Sequence, residues 1–289
     1  MDTNEIVVII GNGLDLDLGL EISFKKYTEN IYCIACYSEY GEKWSDFENY
    51  LRKRVLEITE STPKEVVKSI NDEWIAFKLH LSHFFSAALT TFKCKKDSYA
   101  YHFLSHLTSK TKVYTFNYTN PYEYVGLKQR VDFQFIHGRY YMDTFGKGRM
   151  LMSQSPSLIV GIDYNRIPEY IKGNENIRHL IKQLNKEYIP TDIVKDLKNA
   201  KIVVFFGFSM GLPDADYFDE FFSTIIKEQT SCQKIYCITY DSKSFFSFKK
   251  NINTICRGVD IVEKKVEIIP IYTKNRDSEE LFTELLLQV

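Results

Sequence analysis

Four short stretches carry residues able to do chemistry on a small anionic ligand. The first is Gly11-Asn12-Gly13-Leu14-Asp15, directly after the β-branched run Ile6–Ile10. A buried strand feeding Gly-x-Gly and then a helix offers backbone N–H groups and a positive dipole end to an anion. The competing reading is a tight turn in which Asp15 satisfies first-turn amides. Leu16 stands where a dinucleotide fingerprint has its third glycine. Asp17, two residues beyond Asp15, is expected to face solvent or packing.

The second stretch is Thr115-Phe116-Asn117-Tyr118-Thr119-Asn120. Asn117 offers both a donor and an acceptor, suited to ribose hydroxyls or a carboxamide. An Asn-rich turn and helix cap before Pro121 is its alternative. The third is Ile136-His137-Gly138, where an imidazole with a pKa of about 6.5 follows a strand and can take a proton at neutral pH. The fourth runs Phe206-Gly207-Phe208-Ser209-Met210-Gly211-Leu212-Pro213-Asp214-Ala215-Asp216. An apolar strand enters a Gly-Phe-Ser turn, and Pro213 opens a helix with Asp214 and Asp216 in its first turn. That turn suits a ligand phosphate; both aspartates also read as ordinary helix-start residues.

The remaining histidines, His80, His83, His102, His106 and His179, fall in helical patterns. The spacing of two of their pairs is compatible with metal binding, but no acid or thiol is placed to complete a site, and no metal is expected. Cys33 and Cys36 form a lone CxxC without the second pair of a zinc tetrad, so idle thiols are the better reading.

These stretches need elements to hold them. Strand-like runs occur at Glu5–Ile10, Lys112–Thr115, Phe133–Ile136, Ser157–Val160, Lys201–Phe206, Lys234–Thr239 and Val266–Ile269. Several are continuously apolar, as in strands covered on both faces. Helical patterns at Tyr99–Leu107, Ile177–Glu187, Ala215–Glu228 and Ser278–Leu287 alternate with them. The alternation predicts a single α/β, Rossmann-like domain over residues 1–289, with a mostly parallel sheet and helices on both faces. All four stretches then fall at the carboxyl end of one sheet, where a single pocket would form. Between about residues 20 and 110 the alternation lapses into long helices at Trp44–Ile58 and Lys64–Thr91. Such a helical insertion is expected to act as a lid or partner surface.

Composition narrows the function classes. The 289 residues carry a net charge of -1, so no global basic field recruits nucleic acid or an anionic membrane. No apolar run approaches the roughly 18 residues of a membrane span, and no leader precedes the first strand, so a cytoplasmic protein is expected. The 20 tyrosines and 21 phenylalanines are spread along the chain and argue for a bulky core rather than a stacking platform.

Taken in order, GNGLDLDLGL, WSDFENYL, FNYTNP, IHG and GFSMGLPDADYF resemble the bacteriophage abortive-infection AbiH family, over residues 6 to about 222. That family is similar in turn to sirtuin-like NAD-binding domains. The resemblance implies that Gly11, Asn12 and Gly13 cradle a nucleotide. It places Asn117 near the nicotinamide ribose, His137 as general base, and Gly207 and Ser209 in a turn against the cofactor. The four-cysteine zinc module of sirtuin deacetylases is missing from the sequence, which sets protein deacylation aside.

The function expected is a phage-defence protein that hydrolyses NAD or a related nucleotide at the glycosidic bond. Asp15, Asn117 and His137 are its catalytic candidates; Gly11, Asn12, Gly13, Gly207, Ser209 and Asp214 are its binding candidates. The alternative is a non-catalytic nucleotide sensor signalling through the insertion. A nuclease fits less well, given the near-neutral charge. Expected partners are the nucleotide and either a second copy or a defence protein.

Overall fold

β1 (Ile6–Ile10), β2 (Lys112–Thr115), β3 (Phe133–Phe135), β4 (Ile202–Phe206), β5 (Lys234–Thr239) and β6 (Glu267–Tyr272) form one sheet in the order β3-β2-β1-β4-β5-β6. Every pairing is parallel. β1 lies centrally, with Val8 opposite Val113 on one side and Val204 on the other. The order reverses between β1 and β4, as in doubly wound nucleotide-binding sheets. The computed structural model describes residues 6–30, 44–59, 61–140, 158–162, 164 and 167–289.

Strand alternation assigns the two faces of the sheet. Val7, Ile9, Val203 and Phe205 join a core with Leu197, Phe221, Phe248 and Val262. These last come from α8 (Ile193–Asn199), α9 (Asp219–Ile226), α10 (Ser242–Cys256) and α11 (Val259–Lys265). Phe206, one residue on from Phe205, points the other way and meets Phe103 of α5 (Tyr99–His106), their rings 5.3 Å apart. Tyr99 of α5 stacks in turn on Phe282 of α12 (Glu279–Leu286) at 4.2 Å. Helices therefore cover both faces. Because both faces are dry, β1 and β4 read as unbroken apolar runs, with Val7 through Ile10 wholly buried.

The chain divides into two compact units: Met1–Leu20, Lys93–Ile136 and Thr191–Val289 hold the sheet, and Glu21–Phe92 with His137–Pro190 form the second. The second unit contains α2 (Phe24–Asn30), α3 (Trp44–Leu56), α4 (Lys64–Thr91) and α7 (Glu169–Lys172). Along α4 the buried residues Val67, Ile70, Trp74, Phe77, Leu81 and Phe85 recur every three or four positions, so one stripe of this helix faces a core. Leu51, Val55, Ile171, Ile177, Leu180 and Ile181 pack with its first half, and Trp74 Nε1 donates to Val160 O at 2.8 Å. Among the described residues no helix is long and apolar enough to cross a membrane.

Three expected elements differ. Leu158–Val160 forms no strand; Ile159 N–H donates instead to His137 O at 2.8 Å, and Ser157 lies outside the described residues. Ile177–Glu187 is not one helix but two 3-10 turns, Arg178–Leu180 and Lys182–Leu184. Ile181 between them is extended because it forms a parallel bridge to Ile162, with Lys182 N–H donating to Ile162 O at 2.9 Å. The pattern at Ala215–Glu228 likewise splits into a 3-10 turn at Leu212–Tyr217 and then α9.

Candidate functional site

At the reversal of the sheet, the turn after β1 lies directly on the turn after β4. A Cβ on Gly11 would stand 2.6 Å from Phe208 Cα, and one on Gly13 would stand 2.5 Å from Gly207 Cα. Real Cβ contacts essentially never come this close, so glycine is required here by packing of backbone on backbone. Hydrogen bonds cross the same junction: Gly11 N–H donates to Phe206 O and Gly13 N–H to Gly207 O, each at 2.9 Å. Leu14 N–H donates to Gly11 O at 3.0 Å and Leu16 N–H to Asn12 O at 3.1 Å. These four amides already have carbonyl partners, so a phosphate seated on this turn would compete with each of them. The helix that follows, α1 (Gly13–Leu18), has six residues, closed by Gly19 at φ 96°. A helix this short has little dipole to offer an anion.

Asp15 lies beneath that turn with no exposed surface. Its Oδ2 accepts from Asn117 Nδ2 and from Thr119 Oγ1, each at 2.8 Å, and its Oδ1 accepts from Tyr124 Oη. Asn117 Nδ2 also donates to Gly11 O at 3.1 Å, so the side chain after β2 clasps both the turn and α1. Burial pushes the Asp15 carboxyl up to about 6 although all three donors pull it down. The Tyr124 hydroxyl, buried against this carboxyl, is held well above its ordinary range. Asp17 has a different partner: its Oδ2 accepts Ala100 N–H at 2.8 Å, at the start of α5. Burial raises its pKa as well, and Ala100 N–H and Lys95 oppose the shift.

The remaining candidates are dispersed. Ser209 is exposed and its carbonyl accepts from Asn251 Nδ2 at 2.8 Å. Asp214 lies in the 3-10 turn, its N–H donating to Gly211 O. Asn12 precedes α1 and makes no side-chain cap. Gly11, Gly13, Asp15, Asn117 and Gly207 are thus brought together in the sheet unit, while His137 belongs to the second unit.

His137 there has buried company. Lys182 Nζ donates to His137 Nε2 at 3.4 Å and pairs with Glu48 Oε1 at 2.9 Å. The lysine side chain has no exposure, and His137 is buried too. A lysine this deep is rare unless paired, and the carboxylate of α3 supplies the pair. Sequence reasoning missed Thr119, Tyr124, Lys182 and Glu48. Thr119 and Glu48 sit inside motifs it singled out, and Tyr124 lies just past one.

A parallel α/β sheet in this strand order, with a glycine turn on each side of its reversal, defines a doubly wound protein. The chain belongs to the bacteriophage abortive infection AbiH family, whose sequence profile matches residues 7–236. That membership points to a role in abortive infection, a response to bacteriophage. No individually curated protein matches the chain.

Proposed function

We propose that this protein serves phage defence by binding a nucleotide, NAD or a related one, at the carboxyl edge of its parallel sheet. The observation that carries the reading is the sheet order β3-β2-β1-β4-β5-β6, which reverses between β1 and β4. Ligands of open α/β sheets gather beyond the carboxyl ends of the strands for a structural reason: loops diverge there and leave a crevice. The sirtuin-like resemblance of the motifs points to the same ligand class.

Two uses of such a site compete. As a sensor, the protein holds the nucleotide intact and passes the signal to a partner. The saturation of Asp15 by Asn117, Thr119 and Tyr124 favours this use, because it leaves the carboxylate committed to the fold. As a hydrolase, it cleaves the glycosidic bond. The deciding experiment incubates purified protein with NAD, other nucleotides and phage lysate, and follows both binding and released base. Binding with no release under any condition supports the sensor; release establishes the hydrolase; no binding of any nucleotide overturns the proposal.

A further inference from the structure

A cavity of about 530 Å³ opens in the sheet unit beside the glycine junction, within the size range of small-molecule sites. Its walls come from four places in the sequence. α1 supplies Leu16 and Asp17, and the segment leading into α5 supplies Lys95 and Tyr99. Tyr240 follows β5, and Lys274 and Arg276 follow β6. Three cations thus converge from two separate loops. Arg276 holds its place through Asp97, whose carbonyl and Oδ2 both accept from the guanidinium. Its backbone takes φ 56°, a left-handed conformation that a non-glycine residue adopts at some cost. Lys274 Nζ stands 5.4 Å from the centre of the exposed Tyr240 ring.

Lys95, Lys274 and Arg276 outnumber the Asp17 and Asp97 carboxylates of the same wall, which leaves one cation in excess to favour an anion, and the exposed tyrosine ring offers a face to a flat heterocycle.

We propose that this cavity is the phosphate-binding end of the nucleotide site: Lys95, Lys274 and Arg276 take a diphosphate, and Tyr240 stacks on the base. The inference rests on the nucleotide reading above but moves the anion from the Gly11 and Gly13 amides, which are engaged, to side chains of the segments before α5 and after β6.

The test uses inorganic pyrophosphate, ADP and adenosine as probes in titration calorimetry. Lys274→Ala, Lys95→Ala and Tyr240→Ala alter exposed side chains, so folding is spared, and circular dichroism checks it. The expected result is binding of ADP and pyrophosphate by the wild type, at least tenfold weaker in Lys274→Ala and Lys95→Ala, with adenosine weaker than ADP. Tyr240→Ala should weaken ADP and leave pyrophosphate binding unchanged. ADP bound equally by wild type and both lysine variants would overturn this location while leaving nucleotide binding standing. Pyrophosphate bound through the lysines with no gain for ADP would keep the anion site and remove the nucleotide. No binding of either phosphate overturns the cavity as a site.

Discussion

Gly13 and Gly207 touch through their backbones: a Cβ on Gly207 would lie 2.4 Å from Gly13 Cα, and one on Gly13 would lie 2.5 Å from Gly207 Cα. Gly207 also holds φ 59°, so alanine there meets both a clash and a strained backbone. Either Gly13→Ala or Gly207→Ala is expected to cost about 3 kcal/mol or more, because neither partner can yield without shifting a buried strand. Thermal melts should show a fall of roughly 5 °C or more. A variant melting within 2 °C of wild type, on the order of 1 kcal/mol here, would refute the junction.

Asp15 makes a pH-dependent contribution of definite sign. The folded protein holds this proton up to about pH 6, whereas the unfolded chain releases it near 3.8. Between those values the folded state binds more protons, so stability falls as pH rises through the window and is flat above it. The fall attributable to Asp15 is roughly 3 kcal/mol. In Asp15→Asn this segment of the curve should flatten, which denaturant melts from pH 4 to 8 will reveal.

The same carboxylate separates fold from chemistry. An asparagine can accept from Asn117 and Thr119 and donate to Tyr124, so Asp15→Asn should stay within about 1 kcal/mol of wild type at pH 7. Asp15→Ala leaves three buried groups without their acceptor and should lose about 3 kcal/mol. If base release from a nucleotide is found, its loss in Asp15→Asn with stability retained assigns the carboxylate to the reaction.

Lys182 is held by Glu48 and His137 with no exposure of its side chain. Lys182→Met strands a carboxylate in the second unit and should destabilise it by about 3 kcal/mol. Neutralising the carboxylate as well, in Glu48→Gln/Lys182→Met, should recover part of that loss. Equal melts for the single and double variants would mean that the pair carries no coupling.

The sheet was legible because dry strands leave a strong trace. β2 and β5 occupy the expected residues, and α4 spans the expected Lys64–Thr91, since long one-type patterns survive tertiary pressure. Residues 177–187 deceived the reading because helical spacing there was overruled by the Ile162–Ile181 bridge, a contact invisible in local sequence. The site was legible in type but not in partnership. Asp15 and Asn117 stood out separately, and their hydrogen bond joins residues 102 positions apart. Glu48 lies inside WSDFENYL, but nothing in the spacing points from it to Lys182. Glycines 11 and 13 suggested a ligand, whereas their geometry is first explained by the neighbouring turn.

The register Ile6↔Ile202 gives the chain a problem in time. The central strand is synthesised before both strands that flank it, and one of these leaves the ribosome roughly 200 residues later, on the order of 10–40 s at ordinary synthesis rates. Throughout that interval one apolar edge of β1 has no neighbour, which is the condition that invites pairing with the wrong chain. A nascent polypeptide halted before Phe206 should therefore recruit chaperones or aggregate, and release only once β4 has emerged.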